Sequence, residues 1–215
     1  MAKQTIKKNN ILFLFFFSLF AAFAVYAKAL SNGFIWDDTI LLNQQLSAFL
    51  SLKDVFFPPP GIPEFNIHYY RPIIVLTYII DKYLWGISSF GFHFSVIIFH
   101  ILNTALVFRI TQLILKKSEY VDFGAFVAAL IFAVHPIHVE SVAWIAGRSD
   151  VVAGTFFFSS LLLYLRFLLR FRDPRDNQKK NIYILISSAV LFFFAAAAKE
   201  VALSQNHSFR AFSNR

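Results

Sequence analysis

Cysteine is absent from the 215 residues, which excludes disulfides, thiolate metal sites and cysteine nucleophiles. Charge is scarce: only 15% of residues are Asp, Glu, Lys or Arg, against about 25% in soluble domains. That deficit points to a membrane protein. No internal repeat of fixed period is present, and no glycine-rich loop that could cradle a phosphate. The acids, 12 against 20 Lys and Arg, leave a net charge of +8, which on its own would suggest a nucleic-acid partner. The placement of the basic residues argues against one. They gather in the segments around Lys116-Lys117 and from Arg166 to Lys180, beside apolar runs, which is the positive-inside bias of membrane topology.

The sequence is rich instead in apolar residues, 58% in all, with 29 phenylalanines. Lys3, Lys7 and Lys8 precede a run from Ile11 to Leu30. Ala27-Lys28-Ala29 has the form of a signal-peptidase site, but signal cores run to about 7–15 residues and a bilayer span needs about 20. The length therefore predicts an uncleaved first span with a cytoplasmic N-terminus. A long loop follows, with turn signals at Asn32-Gly33, Pro58-Pro59-Pro60 and Gly61-Ile62-Pro63. Within it, Pro72 to Trp85 is too short to cross, and Tyr78, Asp81 and Lys82 give it a polar side. That pattern predicts a helix at the membrane surface, with a helix buried in the bundle as the alternative.

His93 to Leu115 gives the second span. His93, His100, Asn103 and Thr104 share one helical face, and such a stripe reads first as helix–helix glue. Phe123–Val134 covers only about 18 Å as a helix, short of a core of about 30 Å. The helix must run on through His135 and His138, or the polar stretch must dip into the membrane. Val151–Leu169 and Ile182–Ala198 complete about five spans in an all-α membrane fold. Counted from a cytoplasmic N-terminus, they place Asp37-Asp38, Tyr69–Pro72, His135–Asp150 and Lys199-Glu200 on one non-cytoplasmic face.

Several of these residues could carry chemistry. Neighbouring carboxylates such as Asp37 and Asp38 raise one another's pKa, which suits a general base or a cation site; either could also cap a helix near Thr39. His135, His138 and Glu140 lack the spacing of a zinc motif, because the histidines are three apart rather than four. No metal site is assigned to them. Pro136 suits the start of a helix carrying Glu140, Ala143 and Gly147 on one face. Arg148 and Asp150 could pair with each other or cap the fourth span, or Arg148 could hold a phosphate in its forked guanidinium.

The ordered set Phe34-Ile35-Trp36-Asp37-Asp38, Tyr70-Arg71-Pro72, His93 with His100 and Asn103, His135-Pro136-x-His138-x-Glu140, Gly147-Arg148-Ser149-Asp150 and Lys199-Glu200 resembles the C-type membrane glycosyltransferases. It is most similar to the transmembrane O-mannosyltransferases with tetratricopeptide repeats and their bacterial relatives. The resemblance covers Asn32 to about Leu203. It implies an inverting enzyme that moves a mannose-like hexose from a polyprenyl- or dolichyl-phosphate donor to an acceptor hydroxyl on a protein or glycan, at the periplasmic or lumenal face. By the same resemblance Asp37 or Asp38 is the catalytic base. Arg71, Glu140, Arg148, Asp150, Lys199 and Glu200 line the substrate cleft, with Arg71 or Arg148 meeting the donor phosphate. A divalent cation at Asp37, Asp38 and Glu140 is compatible with it, although not every member of the superfamily needs one, so no cofactor is assigned. Residues 1–203 read as the N-terminal part of such a membrane domain. Ser204–Arg215 matches nothing in the family and reads as a loop or as the product of truncation or frameshift. The family continues into further spans and a repeat domain, so the resemblance implies a partial catalytic module. A non-catalytic transporter or assembly subunit is the competing reading, and it would be expected to hold its polar residues near the bilayer midplane.

Overall fold

A helix that is apolar on every side must be enclosed by lipid or by protein, and the long runs of this sequence form such helices. The computed structural model describes residues 8–40, 52–57, 71–171 and 178–199. Among these residues all regular structure is helical: α1 (Lys8–Tyr26), α2 (Asp37–Ile40), α3 (Leu52–Phe56), α4 (Pro72–Trp85), α5 (Ser89–Ile114), α6 (Val121–Val134), α7 (Val139–Ala143), α8 (Ser149–Phe171) and α9 (Gln178–Ala198). Short 3-10 turns stand at Ala27–Ser31, Pro136–His138 and Ala146–Arg148. Four stretches are long and apolar enough to cross a membrane: Asn10–Ser31, Ser89–Ile114, Ala146–Phe171 and Asn181–Ala198. Val121–Val134 and Pro136–Ala143, which meet at a 45° bend, make a fifth when the two are counted as one span. The all-α membrane fold of about five spans is thus borne out. The tail from Ser204 and the boundary at residue 203 lie outside the described residues.

The bend has a local cause. Proline disfavours helical geometry in the residue before it, and His135 is extended, with φ −67° and ψ 128°. Its ring then accepts the N–H of Ile137 at 3.2 Å, capping the turn that follows. The third helix therefore does not run straight on through its histidines.

Helix α5 is the centre of the bundle, packed against α1, α6 and α8. Phe15 of α1 meets Phe108 of α5 edge-on at 5.2 Å. The polar stripe of α5 is buried in full, and two of its members bond across to neighbouring helices. His100 donates from Nε2 to the carbonyl of Ala133 on α6 at 3.0 Å, and Asn103 donates to the carbonyl of Val151 on α8 at 2.8 Å. Thr104 bonds to the carbonyl of His100 in its own helix. Contacts of this type between membrane helices contribute about 0.6 kcal/mol each on average. Serines 160 and 188 join α8 to α9 in the same way. The outward surfaces carry Phe13, Phe16, Phe20, Ile186, Phe192 and Phe193, an apolar belt that suits lipid.

Helix α4 is two-sided, as expected, but its polar residues are placed differently on it. Pro72 opens it at a position where no N–H is missed. Gly86, at φ +65°, ends it by donating its N–H to the carbonyl of Lys82 at 2.9 Å. In between, Ile74, Tyr78 and Asp81 form a single buried stripe, and the helix packs against α5. Lys82, Tyr83 and Leu84 point outward. Two of the three residues read as its polar side are therefore its inner side, and the reason lies in what Asp81 meets there.

Candidate functional site at the turn before the fourth long helix

Five residues, Trp144 to Arg148, connect α7 to α8, and this turn is held from three directions. Trp144 is extended, with φ −112° and ψ 124°, so α7 stops at Ala143. The single helix expected to carry Glu140, Ala143 and Gly147 on one face does not form. The chain instead folds back so tightly that a Cβ at Gly147 would lie 2.7 Å from the carbonyl oxygen of Glu140. Only glycine fits there.

From the first loop, Asp38 reaches this turn. Its Oδ1 accepts the N–H of Ala146 at 2.9 Å, and its Oδ2 accepts the N–H of Ile35 at 3.2 Å. From α4, the hydroxyl of Tyr78 donates to the carbonyl of Ile145 at 3.1 Å. Arg148 completes the arrangement: its guanidinium pairs with Asp81 at 2.5 Å, donates to the carbonyl of Phe92 at 3.3 Å and lies 4.3 Å from the centre of the Tyr78 ring. Arg148 is 0% exposed, an arrangement tolerable only for a paired and hydrogen-bonded charge. It thus sits inside the protein, with Asp81 rather than Asp150 as its partner.

Asp150 pairs instead with Lys199 at the end of α9 and accepts from Ser141 at 3.4 Å. Asp37 is half-buried in α2, Arg71 is half-buried at the start of α4, and Glu140 is exposed on α7. Glu200 lies outside the described residues. The structure therefore joins Asp38 with the Arg148 turn, and Asp150 with Lys199, at the same end of the bundle. Asp81 and Tyr78 were missed as site residues. The signal for them was present: they stand three apart, with Ile74 four residues before, in the pattern of one buried face.

The electrostatics follow from burial. Asp38 is pushed above the ordinary carboxylate range chiefly by desolvation, with a smaller push from Asp37. The two backbone N–H groups and the nearby Arg148 pull in the opposite direction. Tyr78 is pushed up to about 12 by burial, to which Asp38 and Asp81 add and against which Arg148 acts, so it remains a neutral donor at physiological pH. The cation that Asp37, Asp38 and Glu140 were considered for does not fit this arrangement. Both oxygens of Asp38 are taken up by backbone N–H groups, and among the described residues no three His, Asp or Glu side chains group closely enough to hold a metal ion.

Protein O-mannosyl-transferase Tmtc2 of Drosophila melanogaster is 31% identical over 183 residues, covering 82% of this chain and 19% of the fly protein. Protein O-mannosyl-transferase TMTC1 of Homo sapiens is 38% identical over 151 residues, covering 66% and 17%. Protein O-mannosyl-transferase TMTC3 of Mus musculus is 32% identical over 149 residues, covering 66% and 16%. The chain is a relative of the protein O-mannosyl-transferases. The resemblance read from the motifs is borne out, and the chain spans less than a fifth of the length of these relatives. No family model matches it, and no solved structure does.

In this O-mannosyl-transferase relative, Tyr78 should leave a pH signature. A tyrosine whose folded pKa is raised stabilises the fold fully below its unfolded pKa of about 10 and loses that contribution as pH rises through the folded value. For Tyr78 the loss falls between about 10 and about 12. Tyr78→Phe is expected to lower stability by about 1 kcal/mol at neutral pH, the worth of its hydrogen bond, and to flatten the decline above pH 10. Thermal melting of both proteins in detergent from pH 8 to 12 measures the difference. Parallel curves would show that the phenol does not ionise from this buried position.

Proposed function

We propose that the polar end of this bundle is the catalytic end of a membrane glycosyltransferase, which moves a mannose-like hexose from a polyprenyl- or dolichyl-phosphate donor to a protein hydroxyl with inversion. The observation that carries the reading is the convergence of the first loop on the Ile145–Arg148 turn. Asp38, 108 residues from Ala146, bonds to its N–H, and this anchors the preceding Asp37 at the open rim of the site. Asp38, with both oxygens engaged, holds the loop; Asp37, half-buried and beside it, is the base that takes the acceptor proton. Arg71, half-buried at the start of α4, is the group that meets the donor phosphate, and Arg148 holds Asp81 inside the bundle.

The bundle supports this reading over a transporter. Polar groups near mid-helix, His100 and Asn103, bond to the backbone of neighbouring helices and so have the character of helix glue. Lys116, Lys117, Arg166 and Arg170 stand toward the ends of the helices opposite the site, which supports a non-cytoplasmic active face.

The test gives the purified chain in lipid nanodiscs a polyprenyl-phosphate-linked mannose with a radiolabelled sugar, together with a serine- and threonine-containing peptide. Retention of the donor in preference to the sugar-free lipid phosphate, with label moving to the peptide as the β- or α-linkage opposite to that of the donor, is the expected result. A chain that does not distinguish the donor from the bare lipid phosphate overturns the reading.

A further inference from the structure

Trp36 is the one non-glycine residue among those described that adopts positive φ, at +46°. This left-handed conformation is costly for a bulky side chain, and such outliers persist where surrounding contacts impose them. Here the contacts are plain. Asp38 accepts the N–H of Ile35 on one side of Trp36 and, across the site, that of Ala146. The clamp that closes the loop forces the strain onto Trp36. Yet the side chain gains no burial from it, because Trp36 is 79% exposed.

The ring does have one neighbour. Trp144 meets it edge-to-face, with ring centres 6.0 Å apart at 81°. Trp144 belongs to the segment that leads into the Asp38-bound turn. Its indole N–H is buried, and among the described residues nothing accepts from it. A strained, exposed indole is thus held beside a second indole with an unfilled donor, next in sequence to Asp37.

We infer that Trp36 and Trp144 form a binding platform for the apolar face of a hexopyranose. The C–H face of such a ring packs on an indole plane, and the exposed Trp36 ring, braced edge-to-face by Trp144, presents one beside Asp37. Two rigid aromatic walls lose little conformational entropy on binding, and the strain at Trp36 is the cost of presenting one of them outward. The inference rests on the glycosyltransferase reading for its choice of sugar, but it concerns binding alone.

The test uses the full chain in detergent and methyl α-mannopyranoside as probe, followed by saturation-transfer NMR, with glycerol as a non-cyclic control. Wild type is expected to transfer saturation to the ring C–H protons of the mannoside and not to glycerol. Trp36→Ala should reduce that signal at least fivefold while circular dichroism and melting stay as in wild type, and Trp36→Phe, which keeps a ring, should retain most of it. An equal signal in Trp36→Ala, or none in wild type, overturns the platform. A Trp36-dependent mannoside signal without any hexose transfer leaves the platform standing and removes the transfer reading. Transfer with an unchanged donor KM in Trp36→Ala does the reverse. An indole serving only to anchor the loop at a lipid surface would leave the mannoside signal unmoved.

Discussion

Arg148→Ala is expected to cost about 3–5 kcal/mol of stability, the range for removing one partner of a buried ion pair. The loss is large because nothing replaces the guanidinium. Asp81 would remain 4% exposed with an unmatched charge, the carbonyl of Phe92 would lose a donor, and the Tyr78 and Phe92 rings would lose the cation packed on them. At roughly 2–4 °C per kcal/mol for a chain of this size, the melting temperature should fall by roughly 6–20 °C. Asp81→Asn should behave similarly, since it leaves Arg148 as the buried unpaired charge. The combined variant Arg148→Met with Asp81→Leu should recover most of the loss, because well-packed apolar residues often replace a buried pair at little cost. Melting of the three variants in detergent measures the two losses and the recovery. Single variants that melt within about 1 kcal/mol of wild type would contradict the burial of the pair.

This pair also marks where the sequence stopped being informative. Spans were legible because a bilayer imposes a length, and runs such as Ile11–Leu30 and His93–Leu115 meet it without needing any tertiary knowledge. The stripe on α5 was legible as a stripe because helical periodicity alone puts His93, His100, Asn103 and Thr104 together. Its partners, the carbonyls of Ala133 and Val151, carry no sequence signal, since every residue has a carbonyl. The break at His135 could have been read from Pro136, whose ring disfavours helix in the residue before it. The Arg148–Asp81 pair was not readable in the same way. The two residues are 67 positions apart, and their meeting depends on which face α4 turns toward α5. A stripe of Tyr78 and Asp81 is equally consistent with facing water or with facing a buried guanidinium. Only the spatial position of Arg148 decides between them.

The same limit applied to Asp37 and Asp38. Adjacent acids could not be told apart by spacing, and the structure separates them through their environments: one carboxylate holds two backbone N–H groups in a dry site, while the other stands beside it and partly open. Different environments for two carboxylates are a common way of giving them different roles. The proposed function depends on that division.

Asp37→Asn is therefore expected to reduce hexose transfer by about 10²–10⁴-fold, the usual contribution of a positioned general base. Donor retention should be unchanged, and stability should move by no more than about 0.5 kcal/mol, as for other partly exposed positions. Asp38→Asn should show the opposite balance. An asparagine side chain offers one carbonyl oxygen where the carboxylate offered two, so one part-buried backbone N–H, of Ile35 or of Ala146, loses its acceptor. Leaving such a group unsatisfied costs about 1–3 kcal/mol. Transfer should fall as well, but together with the melting temperature. The two variants are compared by single-turnover transfer with saturating donor and by melting in the same detergent. A ratio of rate loss to stability loss that is far larger for Asp37→Asn assigns the base to Asp37. If instead Asp38→Asn abolishes turnover while melting as wild type does, the base is Asp38, and its two N–H bonds serve to tune that carboxylate rather than to hold the loop.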